Sequence, residues 1–340
     1  MGGTSVLRIA VLGCGRIGRM HAANIAAHPR ARLAGVFDVS REAAMEVGAR
    51  EATTVFETDE DVFASEGVDA VLIASSTSTH ADYIEKAVAV GKPILCEKPI
   101  DLSLERVDRC ARIIGKSSLP IMLGFVRRFD PTHRATRAAI VNGDIGDLHQ
   151  IVITSRDPAM APAAYMEVSG GIFRDMTIHD FDMARFLLGE EPETVSAVGS
   201  RLVNPPLMER CNDWDTVSVV LTAASGKQCV ILNSRQAVYG YDQRVEVFGN
   251  KGMAVSENRR MHDSVRFTGE FTSRGAPYLN FFIERYAEAF NAEIGAFVDA
   301  VENGTAPEVG FEDGRRALVL AEAAGRSIQE GRPVKTSEVI

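Results

Sequence analysis

The chain has 340 residues, 46% of them hydrophobic and 24% charged, and a formal net charge of −9 at pH 7. This length allows two domains and a sizeable core, and the composition is ordinary for a globular protein. The negative charge, with no Lys/Arg cluster, excludes nucleic acid as an expected partner. No apolar run reaches the ~20 residues that span a bilayer, and Met1–Ser5 lack the basic and apolar regions of a signal peptide, so we expect neither a membrane segment nor a leader.

The cysteines are scattered and form no C-x-x-C pair; they are Cys14, Cys96, Cys110, Cys211 and Cys229. Such an odd, unpatterned set argues for reduced thiols, and against a disulfide framework or a structural zinc site. We therefore expect a cytoplasmic protein without a metal, in which the cysteines are packing residues.

A glycine-rich turn follows the first predicted strand. Leu7–Leu12 is an apolar run of strand length, Gly13–Gly18 reads Gly-Cys-Gly-Arg-Ile-Gly, and a helical stretch continues to about Ala27. In a G-x-G-x-x-G turn the first glycine permits the tight bend, the second lets a pyrophosphate approach the backbone, and the third allows close helix–sheet packing. This order predicts a dinucleotide site at the positive end of the helix, with an ordinary glycine turn as the alternative.

An acidic residue at the end of the second strand bears on the choice of cofactor. Arg32–Phe37 is followed by Asp38, 20 residues after Gly18, where a carboxylate binds the ribose hydroxyls of adenosine. Its charge repels a 2′-phosphate, so NAD is the predicted cofactor, although Ser40 and Arg41 offset that charge and leave NADP open. The cofactor contacts predicted in this part of the chain are Gly13, Gly15, Arg16, Ile17, Gly18 and Asp38.

Strands and helices continue to alternate up to about residue 125. The predicted elements are strand Val68–Ala74, helix Ala81–Val90, strand Ile94–Cys96, helix Leu102–Gly115 and strand Pro120–Phe125. We interpret them as completing six β/α units of a doubly wound parallel sheet, in which ligands sit beyond the carboxyl ends of the strands. Further cofactor contacts are therefore predicted at Ser75, Thr77, His80, Glu97 and Lys98. Plainer roles stay open: a solvated lysine for Lys98, and a helix-start residue that shapes its loop for His80.

From about residue 149 the pattern changes to alternating runs separated by turns. The predicted strands are His149–Ser155, Thr194–Val203, Thr216–Thr222, Gln228–Arg235 and Arg244–Phe248, and the predicted helices are Phe281–Asn303 and Glu312–Glu330. This pattern indicates an α+β domain with an open-faced, largely antiparallel sheet. We expect residues 1–125 to form the Rossmann domain and residues 126–340 the substrate-binding and oligomerisation domain. Apolar side chains on the open face favour a second copy of the chain as partner.

The stretch Gly170–Asp182 carries the candidate chemistry. On one continuous helix, Asp175 and His179 lie four residues apart and share a face with Asp182. A carboxylate beside an imidazole fixes its tautomer and tunes its pKa, as a general base near neutral pH requires; an ordinary polar pair is the alternative. Gly189 is expected to end this helix. The apolar stripe expected to dock it on a core consists of Ile178, Phe181, Ala184 and Leu188.

These motifs resemble the glucose–fructose oxidoreductase/inositol dehydrogenase (Gfo/Idh/MocA) family over nearly the whole chain, and within it the inositol dehydrogenases most. The most specific mark is the pairing of Glu97-Lys98-Pro99 with the Asp-x-x-x-His formed by Asp175 and His179. The other marks are Gly13–Gly18 with Asp38, and the segments Gly124–Pro131, Ser155–Pro158, Gly170–Asp182 and Tyr239–Arg244.

The resemblance implies NAD-dependent oxidation of a cyclitol ring hydroxyl, with myo-inositol favoured as substrate and 2-keto-myo-inositol as product. It implies a catalytic set in which His179 is the general base, Asp175 orients it, and Lys98 stabilises negative charge on the oxygen. It also implies a homotetramer and a candidate cis peptide bond before Pro99. The implied substrate contacts are Lys98, Arg127, Asp157, Asp175, His179 and Tyr239.

Other roles and functions stay open beside that resemblance. Salt bridges between strands are alternatives for Arg127 and Asp157, and a core-edge aromatic is the alternative for Tyr239. A dehydrogenase for another inositol isomer, or for an aldose such as glucose, would share the fold and differ in its pocket lining. A non-catalytic, dinucleotide-sensing regulator has no need of Lys98 together with the Asp-x-x-x-His pair.

Overall fold

The computed structural model describes residues 6–115 and 117–339; Met1–Ser5, on which the expectation about a signal peptide rests, lie outside this part. The chain divides into two compact units. One comprises the described part of Met1–Val126 with Glu288–Arg316, and the other comprises Arg127–Ala287 with the described part of Ala317–Ile340. Residues 288–316 thus group with the first unit, and the division at residue 125 into a Rossmann domain and a substrate-binding domain stays a prediction. No helix within the described ranges is long and apolar enough to cross a membrane.

The first unit contains a five-stranded, all-parallel sheet in the order β2-β1-β3-β4-β5. Its strands are buried apolar runs, as expected of a parallel sheet that is covered on both faces. The strands are β1 (Leu7–Leu12), β2 (Ala31–Phe37), β3 (Ala70–Ile73), β4 (Ile94–Cys96) and β5 (Ile121–Leu123). The helices between them are α1 (Arg16–Ala27), α2 (Arg41–Arg50), α3 (Asp59–Ala64), α4 (Thr77–Ala89) and α5 (Leu104–Ile114). The predicted doubly wound Rossmann sheet is confirmed.

The prediction of six β/α units is wrong in one respect, because the sheet has five strands in the described residues. In place of a sixth strand, Val36 and Val55 form a single isolated parallel bridge. There Val36 N donates to Thr54 O (2.9 Å) and Phe56 N donates to Val36 O (2.9 Å). The chain then leaves the sheet edge, because the capping box at Thr58 starts helix α3.

The second unit contains a seven-stranded mixed sheet in the order β11-β10-β6-β9-β8-β7-β14. Strands β6 and β9 are parallel neighbours and the other pairs are antiparallel, which confirms the largely antiparallel prediction. The strands are β6 (Leu148–Arg156), β7 (Pro192–Ser200), β8 (Thr216–Ala223), β9 (Gln228–Ser234), β10 (Asp242–Gly249), β11 (Gly252–Ser256) and β14 (Val334–Lys335). A separate hairpin is formed by β12 (Val265–Arg266) and β13 (Arg274–Gly275).

The helices that follow β5 include six short or medium ones and two long ones. They are α6 (Pro131–Val141), α7 (Ala163–Met166), α8 (Ile172–Asp175), α9 (Ile178–Leu188), α10 (Pro205–Arg210), α11 (Phe282–Arg285), α12 (Ala287–Asn303) and α13 (Phe311–Glu330). The long C-terminal helix is confirmed within one residue of its predicted start. The single helix predicted over Phe281–Asn303 is wrong, because the backbone leaves helical geometry at the buried Tyr286.

The two faces of the seven-stranded sheet differ, as alternation predicts. The register places Val195, Val219 and Ile231 on one face, and these side chains are buried. Val198 and Phe248 lie on the opposite face and are exposed. The prediction of one open face is therefore confirmed.

Candidate active site

The glycine loop of the first unit has the shape that a pyrophosphate requires. A Cβ atom at Gly13 would lie 2.4 Å from Ala74 O, and one at Gly18 would lie 1.8 Å from Gly13 O, so neither position accepts a side chain. A Cβ at Gly15, in contrast, has nothing within 4 Å. Helix α1 has no side-chain cap and no acidic residue in its first turn, which leaves its positive end open to an anion. Arg16 and Ile17 form the start of this helix.

The Asp38 carboxylate is held beside this loop by backbone donors. Cys14 N donates to Asp38 Oδ2 (2.6 Å) and Ser40 N donates to Asp38 Oδ1 (2.7 Å). The negative charge therefore lies at the glycine loop itself. This arrangement fits a dinucleotide with a free ribose 2′-hydroxyl better than one with a 2′-phosphate.

Helix α4 begins at Thr77, four residues earlier than predicted, so Thr77 and His80 lie in its first turn. Ser75 precedes the helix, and its hydroxyl is 2.7 Å from that of Thr79. Within this first turn the Thr79 hydroxyl also donates to Ser76 O (2.8 Å).

His80 joins the loops that follow strands β3 and β4. Its ring is buried, and its Nδ1 and Nε2 atoms lie 2.8 Å from Pro99 O and 3.0 Å from Ser75 O. Burial lowers the pKa of His80, so the ring is neutral near pH 7. A neutral ring has one N–H, so it donates to one carbonyl at a time. The peptide bond between Lys98 and Pro99 is cis, as predicted.

The Glu97 side chain turns back toward helix α1. Its Oε1 atom lies 2.7 Å from His21 Nε2, and the missing side chain of Gly124 makes room for its carboxylate. Glu293, which is fully buried in the same unit, is close enough for the charge of Glu97 to act on it; burial, and then that charge, raise the pKa of Glu293 well above its usual range. Glu97 thus links the Glu-Lys-Pro loop to the helix that follows the glycine loop.

In the second unit, the helix predicted to carry both Asp175 and His179 is interrupted. Helix α8 ends at Asp175 and α9 starts at Ile178. Between them Met176 N and Thr177 N both donate to Ile172 O (2.9 Å each), which is one widened turn of the π type. The continuous-helix prediction is wrong because the buried Thr177 hydroxyl is drawn to Asn233 Oδ1 (2.6 Å).

Three further predictions concern the apolar stripe of this helix, its end at Gly189 and the position of Asp182. Its apolar stripe is buried and Gly189 ends it, as predicted. His179 and Asp182 lie three residues apart in α9, as predicted, whereas Asp175 belongs to the preceding helix. Asp182 is buried and accepts two hydrogen bonds from the Arg128 guanidinium (2.5 and 2.8 Å).

The Asp175 carboxylate accepts a hydrogen bond on each oxygen. Tyr165 OH donates to Oδ1 (2.7 Å) and Arg235 Nη1 donates to Oδ2 (3.1 Å). The buried Arg235 also donates through Nη2 to Asp213 Oδ2 (3.3 Å), and Asp213 Oδ1 accepts from Ile172 N (2.9 Å), the first residue of α8. Asp175 is therefore held by the Tyr165 hydroxyl on one oxygen and by a buried arginine on the other.

Arg127 belongs to a buried polar network on the covered face of the sheet. Its guanidinium donates to Asp180 Oδ1 (2.5 Å) and to Ser155 Oγ (3.1 Å), and Asn233 Nδ2 donates to Asp180 Oδ2 (2.8 Å). Burial raises the pKa of Asp180, against the opposing effects of the Arg127 charge and these hydrogen bonds. The network fixes the residue next to His179.

Asp157 lies near Asp175, whereas the Tyr239 hydroxyl contacts other residues. Burial, and then the charge of Asp175, raise the pKa of Asp157 to about 6, while the Arg235 charge acts in the opposite direction. Tyr239 OH instead donates to Asp242 Oδ2 (2.6 Å) and accepts from Arg156 Nη1 (2.8 Å).

Sequence reasoning missed Tyr165, Asp213 and Arg235. The signal for Arg235 was topological: Arg235 follows β9 and Asp157 follows β6, and these strands are parallel neighbours whose carboxyl ends meet. The signal for Asp213 was the Gly170-Gly171 pair. Both glycines have positive φ (81° and 86°), and a Cβ at Gly171 would lie 3.0 Å from Asp213 Oδ1.

The parallel sheet, the glycine loop and the position of Asp38 define a dinucleotide-binding oxidoreductase. Residues 7–125 match the model of an oxidoreductase family with an NAD-binding Rossmann fold, and residues 133–255 match the GFO/IDH/MocA C-terminal domain. The chain belongs to the Gfo/Idh/MocA family of oxidoreductases, and NAD is its cofactor.

Several known proteins are similar to this chain over almost its full length. The chain is 46% identical to the inositol 2-dehydrogenase of Rhizobium meliloti (96% of this chain, 98% of the relative). It is 45% identical to the myo-inositol 2-dehydrogenase of Thermotoga maritima (98% and 100%). A crystal structure of scyllo-inositol dehydrogenase from Lactobacillus casei, with bound NAD(H) and scyllo-inositol, matches with a TM-score of 0.91 at 29% identity (98% and 100%).

Proposed function

We propose that this protein oxidises a ring hydroxyl of an inositol with NAD, converting myo-inositol to 2-keto-myo-inositol. The observation that carries the proposal is the similarity of the whole chain, at 45–46% identity, to two proteins named as inositol 2-dehydrogenases. The second isomer to consider is scyllo-inositol, because a structural relative binds it.

The catalytic roles proposed are those of a general base and its supports. His179 accepts the hydroxyl proton, Asp175 orients the imidazole and stabilises its charged form, and Lys98 donates a hydrogen bond to the substrate oxygen. When bound, NAD accepts the hydride that leaves the same carbon. The hydrogen bonds that Tyr165 and Arg235 donate to Asp175 support this assignment, because they hold its carboxylate in one orientation.

We assign the NAD contacts to the glycine loop, to Asp38 and to the ends of β3 and β4. The open space at Gly15 and the uncapped start of α1 support a pyrophosphate there. For the polyol, the ionised Asp157 is the proposed acceptor for a substrate hydroxyl; the substrate contacts of Arg127 and Tyr239 stay predictions. The proposed NAD contacts are Gly13, Gly15, Arg16, Ile17, Gly18, Asp38, Ser75, Thr77, His80, Glu97 and Lys98.

Initial rates of NADH formation test the proposal directly. The panel contains myo-, scyllo- and chiro-inositol and glucose, each with NAD and with NADP. We expect the highest kcat/KM for myo-inositol with NAD. Preference for scyllo-inositol or glucose would change the substrate, and binding of NAD without turnover of any of them would favour the regulatory alternative.

The role of His179 is tested by substitution. His179→Ala should lose about 10²–10⁴-fold in kcat, as expected for removal of a general base, while the Kd for NAD stays unchanged. His262→Ala is the matched control, because this histidine is exposed in a loop. Unchanged turnover of the His179 variant would overturn the assignment.

We also propose that the chain assembles as a homotetramer through the open sheet face. Exposed apolar side chains on this face, which include Val198, Val220, Phe248 and Met253, support burial against another copy. Sedimentation velocity should give a tetramer for the native protein and smaller species for Val198→Lys combined with Val220→Lys. A native monomer would contradict this proposal.

A cytoplasmic location is proposed from the state of the cysteines. All five are free thiols, and four of them are buried. Free thiols are usual in a reducing compartment. Fractionation of cells that express the native protein tests this location.

A further inference from the structure

We propose that Arg235 is a positioning residue of the active site: its guanidinium, anchored by Asp213, holds the Asp175 carboxylate in one orientation and supplies positive charge to the surrounding cluster of carboxylates. The inference rests on the proposed function, in which Asp175 supports the general base. Arg235 acts on the chemistry through Asp175, so its removal should change the pH dependence and kcat before it changes the binding of NAD.

The orientation follows from the two donors on Asp175. Tyr165, on helix α7, donates to one carboxylate oxygen, and Arg235, which follows β9, donates to the other. The donors come from separate segments of the chain, so the carboxylate cannot rotate without losing one of them. A carboxylate with both oxygens occupied has one preferred orientation.

Asp213 holds both Arg235 and the helix that ends at Asp175. One of its oxygens accepts from Arg235 Nη2 (3.3 Å) and the other from Ile172 N (2.9 Å), at the first residue of α8. The same ion pair therefore controls the start of α8 through its backbone and the end of α8 through a side chain. Gly171 permits this because a side chain there would meet the Asp213 carboxylate.

Three carboxylates interact with the buried Arg235 guanidinium. Asp175 and Asp213 contact Arg235, and Asp157 is close enough for both Asp175 and Arg235 to change its pKa. Arg127 and Asp180, which also act on Asp157, neutralise one another in a buried pair. Without the Arg235 charge the carboxylates repel, and one of them should bind a proton near neutral pH.

Tyr165 and Arg174 do not replace that cation. Burial, and then the charge of Asp175, raise the pKa of Tyr165, so it stays a neutral donor. Arg174 is directed toward Glu322 and Gly170 O. His179 is the proposed general base that Asp175 supports, so it does not take the place of Arg235. Burial lowers the pKa of Arg235, but the charges of Asp175 and Asp213 outweigh that effect, so the guanidinium stays charged.

Two substitutions separate charge from orientation. Arg235→Gln removes the charge and should move the acid limb of kcat/KM upward by about 1–3 pH units, with a loss in kcat of about 10–100-fold at pH 7. Arg235→Lys keeps the charge but cannot bridge two carboxylates as a guanidinium does. Its acid limb should stay near that of the native enzyme while kcat falls. Native kcat in this variant would overturn the orientation argument.

The control is Arg285→Lys, which changes an equally buried arginine. Arg285 pairs with Asp130 in the same unit and makes no contact with Asp175. It should lower the stability of the protein without moving the acid limb. If the acid limb moves as much in Arg285→Lys as in Arg235→Gln, the effect is structural and the inference fails.

A second measurement does not need turnover. Carboxyl ¹³C NMR of the aspartate-labelled protein, with resonances assigned through Asp175→Asn and Asp157→Asn, follows both carboxylates during a pH titration. We expect a higher pKa for at least one of them in Arg235→Gln and values close to native in Arg235→Lys. Unchanged pKa values in Arg235→Gln overturn the inference even if inositol is oxidised. Raised pKa values together with no turnover of any polyol by the native protein would retain the inference and refute the proposed function.

Discussion

The two units hold their polar residues by different means. In the first unit the backbone does so: Asp38 accepts from two N–H groups, and the His80 ring lies between two carbonyl oxygens. In the second unit side chains do so: Asp175 depends on Arg235, 60 residues away, and Asp180 depends on Arg127, 53 residues away. The nucleotide region therefore follows from contiguous motifs, whereas the charged region depends on partners distant in the chain.

This difference has an energetic consequence. Close approach of backbone to backbone makes the glycine loop sensitive to a single methyl group. Buried ion pairs make the second unit sensitive to the loss of one charge, since the other is then left without compensation. Four predictions test this contrast, in order of decreasing expected effect.

The largest effect should follow from breaking the Arg127–Asp180 pair. Asp180→Ala leaves the buried guanidinium without its carboxylate and should lower the free energy of unfolding by about 3–5 kcal/mol. Urea denaturation gives the value. The double variant Arg127→Met/Asp180→Leu should recover much of the loss, because it removes both charges. Equal losses in the single and double variants would contradict the explanation by an uncompensated charge.

A methyl group in the glycine loop should have the next largest effect. Gly18→Ala places a Cβ 1.8 Å from Gly13 O and should cost about 2–3 kcal/mol in stability, with a loss in NAD affinity of about 100-fold. Gly15→Ala is the matched control for folding, because nothing lies within 4 Å of its Cβ. Thermal unfolding and titration with NAD measure the two effects. Similar unfolding temperatures for both variants would refute the steric account.

The pH dependence of stability should identify Asp157. Its pKa rises from 3.8 to about 6 in the folded protein, so the folded state binds a proton more tightly and loses stability as pH rises from about 4 to 6. Asp157→Asn should be close to native in stability at pH 4 and more stable by about 1–3 kcal/mol at pH 8. Urea denaturation at both pH values tests this. A difference that does not change with pH would exclude a titrating Asp157.

The smallest effect concerns the choice between NAD and NADP. Asp38→Asn keeps an acceptor for the loop N–H groups but removes the charge that repels a 2′-phosphate. The ratio of kcat/KM for NAD over that for NADP should fall about 10-fold, which corresponds to about 1.4 kcal/mol. Loss of activity with both cofactors and no change in their ratio would mean that Asp38 serves the loop alone.

Local signals predicted much of the fold and part of the site. The strands near Leu7, Ile94 and Gln228 were found because apolar runs bounded by Gly and Pro are direct signals of strands. The break after Asp175 could not be found, because its cause is a hydrogen bond from Thr177 to Asn233, 56 residues further along the chain. Periodicity alone continues a helix through such a position.

The sequence by itself determined the glycine loop, the carboxylate after the second strand and the presence of Lys98, Asp175 and His179, because each belongs to a short segment with its own geometry. Only the tertiary structure decided which charged groups lie around Asp175. The parallel pairing of β6 with β9 brings Asp157 and Arg235 to one end of the sheet, and Asp213 enters through the space that Gly171 leaves. The physical reason is that electrostatic effects depend on distance and burial, and these are fixed when separate segments pack together.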